Sequence, residues 1–465
     1  MAKKIFILLP DGVGLRNFAF TSFYAKGKEL GNQVVFWNNT PFDLTELGFD
    51  EIKFPKSKIH FLTDLFKNAL IEATLTVNCK RDQDIVYDTY RFKPNKNGFK
   101  NKVRNTIVRL LVILFSNQKG ISFLRYMMQW WETKTSYYKY CQNLLEKEKP
   151  DFVFCTNQRP VVAIAPLLAA QKLKIPTATF IFSWDNLPKA TMVVKTDKYF
   201  VWSDYMKNEL LHYYPYIKKE QIAVTGTPQF EPHTNFENLS EKEAFYKEFN
   251  LDSNKKYICY SGDDITTCPD DEQYLNDVVQ AVESLNQKGY NLGVIFRRCP
   301  VDFSNRYDEV LTKYKNIIVP IQPAWEKRGE MWNTILPTSN DTKLLVNTIK
   351  HSEMVVNLGS SMVFDYVLFN KPCAYVNYDV TNKKQAHWSV KKIYQFVHFR
   401  SMPNLNSVVW LNEKEEIAFK IEAALLQPDL YIDNAKKWLE IITAQPVQKA
   451  SQAIWETIIK CIEEQ

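Results

Sequence analysis

The sequence predicts an α/β protein made of two Rossmann-like, doubly wound domains that face a cleft. Three observations carry this prediction. Short apolar runs bounded by turn residues alternate with helical patterns from residue 4, the alternation resumes at Pro150 after a helical stretch, and it starts afresh at Lys256. A length of 465 residues also exceeds what one hydrophobic core ordinarily covers, so two or three domains are expected.

The composition is typical of a folded protein and gives no indication of a nucleic-acid partner. Hydrophobic residues make up 45% and charged residues 24% of the chain, and the net charge of +7 is small for this length, so it does not indicate a nucleic-acid partner. Eight cysteines without a CxxC pair are typical of reduced, buried thiols. The apolar run Ile5 to Leu9 is too short for a signal peptide, and we expect a cytoplasmic protein.

Domain boundaries are expected where the alternation stops. The first domain is predicted over 1–230, with a helical insertion at about 62–148. A polar, proline-bearing run predicts a linker over 231–254, and the second domain is predicted over 255–440. Residues 441–465 are predicted to end in a helix that crosses back to the first domain.

The loop after the first predicted strand holds a candidate acid, Asp11, followed by Gly12 and Gly14. A dinucleotide-binding fingerprint would place a third glycine at Asn17, so a nicotinamide cofactor is disfavoured. Two glycines still let a ligand approach the backbone, where Asp11, Arg16 and Asn17 can face it. A plain strand-to-helix turn is the alternative.

A second candidate acid follows a later strand of the same domain. Asp185 lies in the segment Ser-Trp-Asp-Asn directly after the run Thr177 to Phe182, and Trp184 is suited to stack on an acceptor sugar. Asp185 is equally well explained as a structural turn acid.

The middle of the helical insertion is basic and apolar together. The stretch Asn101 to Trp131 mixes five lysines and arginines with dense apolar and aromatic content. Such helices can lie in a membrane interface, and this stretch predicts a peripheral membrane contact at the inner face of the membrane. Two core helices joined at Gly120 are the alternative.

A candidate phosphate site lies in the second domain. Met354 to Leu358 is typical of a buried parallel strand, and Gly359, Ser360 and Ser361 follow it at the predicted start of a helix. A glycine turn, two hydroxyls and a helix N-terminus suit a phosphate, and Asp365, one turn further, suits a ribose. The alternative is an ordinary capped helix with a surface acid.

Other loops at predicted strand ends would line the same cleft, because doubly wound domains bind ligands at the carboxyl ends of their strands. These loops contain Gly262, the pair Arg297 and Arg298, and Trp325. Arginines near a helix start with two serines can hold a pyrophosphate without a metal ion. Asp263 and Asp264 offer a metal pair, but adjacent acids also make ordinary caps and turns, and we expect no metal site.

The segment VVNLGSSMVFDYVLFNKPCAYV resembles the GT-B fold of nucleotide-sugar glycosyltransferases. It is similar, more narrowly, to the bacterial surface-polysaccharide branch that includes CDP-glycerol glycerophosphotransferases. The motif residues are Ser360-Ser361, Asp365 and Lys371-Pro372, and the resemblance covers roughly residues 255 to 380. The His-Pro dipeptide of that branch is replaced by Cys299-Pro300, a departure for which Arg297 and Arg298 can compensate.

The resemblance implies a nucleotide-activated donor on the second domain and a glycan or lipid-linked acceptor on the first, with no cofactor beyond the substrate. Transfer then needs a general base in the first domain, for which Asp11 is slightly preferred over Asp185. The leading hypothesis is a metal-independent glycosyltransferase. A CDP-glycerol-type polyol-phosphate transferase and a non-catalytic glycan- or nucleotide-binding subunit are the alternatives.

Overall fold

A computed structural model of the chain describes residues 2–55, 59–92, 94–95, 97–328 and 335–464. These residues form two compact units. Unit 1 comprises the described residues of 1–228 together with those of 442–465, and unit 2 comprises those of 229–441.

Unit 1 is built on a sheet that has seven parallel strands within the described residues, in the order β3-β2-β1-β4-β5-β6-β7. The strands are β1 (Lys4–Leu9), β2 (Gln33–Asn38), β3 (Glu51–Lys53), β4 (Phe152–Cys155), β5 (Thr177–Phe180), β6 (Lys198–Val201) and β7 (Ile222–Val224). The central strands are buried almost throughout, which explains their continuous apolar sequences. The strand order reverses between β1 and β4, so the carboxyl ends of these two strands flank the topological switch point of unit 1.

Helices cover the sheet of unit 1 and form a separate layer after β3. The described α-helices before residue 229 are α1 (Val13–Phe18), α2 (Phe23–Glu29), α3 (Phe61–Asp82), α4 (Phe99–Phe115), α5 (Gln118–Glu132), α6 (Ser136–Glu148), α7 (Ile164–Lys172) and α8 (Asp204–Tyr213). In this layer α5 packs against α3, and Leu124 and Met128 of α5 are fully buried.

The last helix of the chain completes the core of unit 1. Helix α16 (Ala450–Glu463) packs on α2. Its Trp455 stacks on Phe23, with ring centroids 4.9 Å apart, and donates from Nε1 to the Phe23 carbonyl at 2.8 Å. A Cβ on Gly27 would lie 2.3 Å from the Trp455 ring, so the glycine is needed for this close approach.

Unit 2 has a second parallel sheet, with six strands among its described residues in the order β10-β9-β8-β13-β14-β15. These strands are β8 (Lys256–Ser261), β9 (Leu292–Arg297), β10 (Ile318–Ile321), β13 (Val355–Asn357), β14 (Cys373–Val376) and β15 (Val409–Leu411). A separate two-stranded sheet pairs β11 (Glu326–Lys327) with β12 (Ile335–Leu336) in antiparallel orientation. The strand order reverses between β8 and β13, which places the switch point of unit 2 there. The prediction of two Rossmann-like doubly wound domains is confirmed.

Helices pack against the sheet of unit 2, with α10 on the face that carries the large core cluster. The described helices from residue 229 onward and before α16 are α9 (Lys242–Glu248), α10 (Asp271–Gln287), α11 (Asp308–Lys313), α12 (Ser339–Lys350), α13 (Met362–Val367), α14 (Ile417–Leu426) and α15 (Asp429–Ile442). Buried Tyr274, Val278, Val282 and Leu285 recur along α10 at helical spacing, which explains how this helix covers the sheet.

The segment 231–254, predicted as a linker, is folded and belongs to unit 2. Its apolar residues Phe245, Tyr246 and Leu251 form a small core cluster with Tyr257 and Ile295 of the sheet. Among the polar residues that suggested a linker, Glu231 and His233 are buried, and Ser240 donates from its N–H and its hydroxyl to Oδ1 of Asn347 at 2.7 and 2.8 Å. Among the helices described, none has the length and apolar character needed to cross a membrane.

Candidate active site

Asp11 lies at the topological switch point of unit 1, two residues beyond β1. Its Oδ1 accepts a hydrogen bond from the backbone N–H of Val13 at 3.2 Å, and its Oδ2 accepts one from the side-chain amide of Asn157 at 2.8 Å. Asn157 follows β4, so the bond joins the two strand ends that flank the switch point. The carboxylate is therefore held in one orientation by a group from each side.

The environment of Asp11 adjusts its acidity toward neutral pH. Burial raises the pKa of Asp11 from its ordinary 3.8 to about 6, while the hydrogen bonds from Val13 and Asn157 and the charge of Arg159 hold it down. A carboxylate with this pKa is ionised at neutral pH and is a stronger base than an exposed aspartate. These are the properties required of a general base.

The residues that support Asp11 were missed by sequence reasoning, because the segment after β4 has no recognisable motif. The backbone N–H of Arg159 donates to Oδ1 of Asn157 at 3.1 Å, which orients the amide toward Asp11. Gln158 is buried and donates from Nε2 to Oδ1 of Asn186 at 3.1 Å, which ties this segment to the loop after β5. A polar Thr-Asn-Gln-Arg run directly after a buried strand is the signal that could have identified it.

The glycine loop predicted after β1 is shorter than expected, because α1 begins at Val13. Gly14, Arg16 and Asn17 therefore lie on a helix and not in a ligand-binding loop, and Gly12 is the buried residue that precedes it. A Cβ on Gly14 would lie 2.4 Å from Oγ1 of Thr156, so this glycine serves the packing of α1 against the β4 end. Asn17 is buried, and Arg16 is half-buried.

Asp185 and Trp184 have structural surroundings. Asp185 accepts hydrogen bonds at Oδ1 from Ser183 Oγ (2.6 Å) and Asn186 Nδ2 (2.7 Å), and its Oδ2 is paired with the ammonium group of Lys189. A carboxylate engaged by three donors is a poor base, which argues against Asp185 as the second candidate base after Asp11. Trp184 is 6% exposed, so its ring faces are covered by protein and are not open to stack on a sugar as predicted.

A buried acid on α8 was also missed by sequence reasoning. Neither carboxyl oxygen of Glu209 has a hydrogen-bond partner among the described residues. Burial and, to a smaller degree, the nearby negative charge of Asp185 together raise the pKa of Glu209 to about 8. Glu209 is thus a carboxyl group that holds its proton at neutral pH.

The loop after β13, residues 358–361, lies at the switch point of unit 2. Asn357 Oδ1 accepts from the backbone N–H of Ser360 at 3.0 Å, and the Ser360 carbonyl accepts from the hydroxyl of Tyr375 at 2.7 Å. Gly359 has φ +62°, a conformation that glycine adopts without strain. The Ser361 hydroxyl makes no capping bond, whereas Ser360 Oγ accepts from the Met362 N–H at 3.3 Å. Ser361 is therefore the serine able to present its hydroxyl to a ligand.

Asp365 does not occupy the position expected for a ribose ligand. All six residues of α13 are buried, so no face of this helix is open to solvent. Oδ1 of Asp365 lies 2.9 Å from Nε2 of His233, and both side chains are almost completely buried. The sequence pattern suggested an exposed face, but the segment Pro228–Thr234 covers it.

Arg297 and Trp325, both predicted to bind the donor, converge instead on Asp341. Nη2 of Arg297 donates to both oxygens of the Asp341 carboxylate, at 2.8 and 2.9 Å, and Nε1 of Trp325 donates to Oδ2 at 2.7 Å. Arg297 is 5% exposed. The ion pair thus corrects the prediction that Arg297 binds a pyrophosphate, since its charge is already neutralised inside the protein.

Arg298 is the other arginine at the end of β9, and it has no carboxylate partner among the described ion pairs. Its Nη1 donates to the Ser304 carbonyl at 2.8 Å, and its guanidinium lies over the Tyr307 ring. Arg298 therefore keeps its positive charge at the carboxyl edge of the sheet. Gly262, after β8, is buried, and a Cβ there would lie 3.0 Å from both Asp271 Oδ2 and the Tyr307 hydroxyl.

The two acids after Gly262 have different surroundings. Asp264 accepts from the backbone N–H groups of Thr266 and Thr267, at 2.8 and 3.1 Å, which is an ordinary turn arrangement. Burial raises the pKa of Asp263 well above its usual range. No group of three histidine, cysteine, aspartate or glutamate side chains able to hold a metal ion occurs in the part of the chain that the structure describes.

Comparison with known proteins tests this architecture. No family model matches the sequence. A curated relative, the processive diacylglycerol β-glucosyltransferase of Staphylococcus haemolyticus, is 32% identical over 119 residues. That alignment spans 26% of this chain and 28% of the relative, so the chain matches little more than a quarter of the relative's length.

Three solved structures resemble the chain along its whole length. MnaA from S. aureus, solved with UDP, has a TM-score of 0.53 at 13% identity, and the match covers 99% of this chain and 97% of the MnaA chain. A UDP-GlcNAc 2-epimerase from Methanocaldococcus jannaschii has a TM-score of 0.52 at 13% identity (99% and 100% covered). A glycosyltransferase from Rickettsia africae has a TM-score of 0.50 at 13% identity (99% of both chains).

The chain has the GT-B fold. The resemblance drawn from the Gly-Ser-Ser segment is therefore confirmed at the level of the fold. In this GT-B chain, each unit has its own switch point. Asp11 and Asn157 lie at that of unit 1, and the loop 358–361 lies at that of unit 2.

Proposed function

We propose that the chain is a metal-independent glycosyltransferase that moves a sugar from a nucleotide-activated donor to a hydroxyl of a surface glycan or lipid-linked acceptor. The observation that carries this proposal is Asp11, a carboxylate with a pKa raised to about 6 by burial and held at a switch point by Asn157. Transfer to a hydroxyl requires a base of this kind, and the GT-B fold supplies a separate doubly wound unit for the donor.

The donor is proposed to bind at the switch point of unit 2. The backbone of the loop 358–361, the Ser361 hydroxyl and the charge of Arg298 would contact its diphosphate. UDP in the MnaA structure supports a uridine nucleotide as the first donor to test. The name of the curated relative, a diacylglycerol β-glucosyltransferase, supports sugar transfer to a lipid-type acceptor.

In the proposed reaction, Asp11 takes the proton of the acceptor hydroxyl as its oxygen attacks the anomeric carbon of the sugar. A new glycosidic bond forms, the bond from the sugar to the diphosphate breaks, and the nucleoside diphosphate leaves. Positive charge and N–H groups at the donor loop stabilise the negative charge that develops on the leaving group.

A thermal-shift screen against UDP-, GDP-, CDP- and CMP-linked donors tests donor binding, because a ligand of the native state raises the unfolding temperature. We expect one nucleotide class to raise it, and Ser361→Ala to lower the affinity by about tenfold, the loss of one hydrogen bond to a charged group. Ser253→Ala is the matched control, because Ser253 is exposed and precedes β8 at the opposite edge of the sheet.

Product analysis with the donor so identified then tests the reaction. Transfer to a glycan or diacylglycerol acceptor, undiminished by EDTA, is the expected result. Turnover of CDP-glycerol alone would replace the proposal with polyol-phosphate transfer, and release of an epimerised nucleotide sugar without acceptor would replace it with epimerisation. Donor binding without turnover of any of these substrates would identify a non-catalytic subunit.

A further inference from the structure

Helix α4 carries an apolar surface that the described protein leaves uncovered. None of its residues is buried. Six large apolar side chains, here called the α4 stripe, lie on it at 40% exposure or more: Phe99, Val103, Ile107, Leu110, Ile113 and Leu114. At 3.6 residues per turn these positions fall within a sector of about 120°, so they form one continuous face. Phe99 is 81% and Ile113 76% exposed, values unusual for side chains of this size.

Basic residues border this face on both sides. Lys100 lies at one edge of the α4 stripe, Lys102 and Arg109 lie at the other, and all three are exposed. Residues 99–131 contain six lysines and arginines and no acid. The charge of Arg104 is used internally, because this side chain is paired with Asp64 of α3 and fastens α4 to the unit.

An apolar groove extends the same surface. The groove has a volume of about 770 Å³ and lies between α3, α4 and the segment before α4. Ile71, Phe92, Val108 and Val112 contribute to its lining, and Ile113 belongs both to the groove and to the α4 stripe. The uncovered apolar area is therefore larger than the helix face alone.

We propose that the α4 stripe inserts into the interfacial layer of an anionic lipid membrane. An amphipathic helix that lies in the membrane plane buries its apolar side chains among the acyl chains while flanking lysines and arginines contact anionic headgroups. The 17 residues of α4 extend about 26 Å, which suits a helix that lies on the membrane and does not cross it. This proposal is independent of the proposed transferase function.

A second copy of the chain would cover the α4 stripe less favourably than an anionic membrane. A two-fold dimer would place the same patch on both sides of the interface, so basic borders would meet basic borders. Because no acid occurs in residues 99–131, that segment offers no partner for these charges across such an interface. An anionic membrane satisfies the apolar side chains and the charges together.

Vesicle sedimentation of the full chain tests the proposal. We expect binding to vesicles of equal parts phosphatidylglycerol and phosphatidylcholine, weaker binding to phosphatidylcholine alone, and a decrease in 0.5 M NaCl. The double variant Ile113→Ser, Leu114→Ser removes two inserted side chains and should weaken binding by about tenfold or more. Lys102→Glu combined with Arg109→Glu should weaken binding to the anionic vesicles by about fivefold per charge removed.

The matched control is the double variant Leu405→Ser, Leu426→Ser, which changes two leucines of unit 2 with similar exposure, 71% and 66%. It should bind vesicles as the unmodified chain does. The donor-induced thermal shift should persist in all variants, which separates failure of this proposal from failure of the proposed function. Absence of vesicle binding, equal binding by the α4 variant, or a dimer in sedimentation velocity that the α4 variant abolishes would overturn the proposal.

Discussion

The side-chain amide of Asn157 donates a 2.8 Å hydrogen bond to Oδ2 of Asp11, joining the ends of two adjacent strands. The bond aims the carboxylate and lowers its pKa, against the larger effect of burial. Asn157 is thus a positioning residue for the proposed base, and the pair can be tested by substitution at either position.

Replacing the proposed base should stop turnover without affecting donor binding. Asp11→Asn keeps the size of the side chain but cannot take a proton, so we expect kcat to fall by about 10²- to 10⁴-fold. The thermal shift with the donor should stay unchanged, since the donor is proposed to bind unit 2. Asp43→Asn, at a half-buried acid of unit 1 that is paired with Lys53, is the control. Full activity in Asp11→Asn would exclude Asp11 as the base.

The raised pKa of Asp11 predicts a specific pH profile. The base must be ionised, so kcat/KM should increase with pH along a limb whose apparent pKa is near 6 and not near 3.8. Asn157→Ala removes a hydrogen bond that favours the ionised form and should move this limb to higher pH. The profile is measured as kcat/KM for the acceptor, at saturating donor, from pH 5 to 8. A limb that does not move in Asn157→Ala would show that Asn157 leaves the ionisation of the base unchanged.

The buried pair of Arg297 and Asp341 predicts a large loss of stability on substitution. Asp341→Ala leaves the Arg297 charge inside the protein without its counter-charge, which costs about 3–5 kcal/mol. Glu326→Ala is the control, because its pair with Arg328 is half-exposed and worth about 0–1 kcal/mol. Urea unfolding measures both. Equal losses in the two variants would show that burial adds nothing to the Arg297 pair.

Glu209 predicts that unit 1 becomes less stable as pH rises. Because burial raises the pKa of Glu209 from 4.5 to about 8, the folded chain keeps a proton that the unfolded chain releases above pH 4.5. The free energy of unfolding should therefore decrease between about pH 4.5 and 8. Glu209→Gln cannot ionise and should show a smaller decrease in unfolding temperature from pH 5 to pH 8. Exposed Glu46→Gln should behave as the unmodified chain, and an unchanged slope in Glu209→Gln would contradict the assignment.

The sequence located the strands well but did not reveal which side chains pair with each other in the fold. Apolar runs such as Ile5 to Leu9 located the strands, and their alternation with helices was enough for the doubly wound class, because those patterns are local. The partner of Arg297 is 44 residues away and that of Asp365 lies on another segment, so no local pattern reveals either pair. Arg297 therefore resembled a phosphate ligand in the sequence, although its charge is neutralised in the fold.

For the same reason, the sequence predicted the positions of candidate residues near strand ends better than their exposure. Asp11 follows directly from the end of β1, and its position depends on backbone direction alone. Whether a side chain is exposed depends on what packs over it, as with Trp184 and Asp365. The start of α1 at Val13 also removed Gly14, Arg16 and Asn17 from the loop in which they were predicted to contact a ligand.

Because Trp455 packs on Phe23, unit 1 cannot complete its core until the C-terminal helix has been translated. The ribosome finishes the first part of unit 1 at residue 228, then makes all of unit 2 before it reaches Trp455. At about 5–20 residues per second, the roughly 230 intervening residues take about 10–45 s. During that time Trp455 is not yet available to cover the apolar surface around Phe23 and Gly27 on the nascent chain. All residues of unit 2 are therefore translated before those of unit 1 are complete.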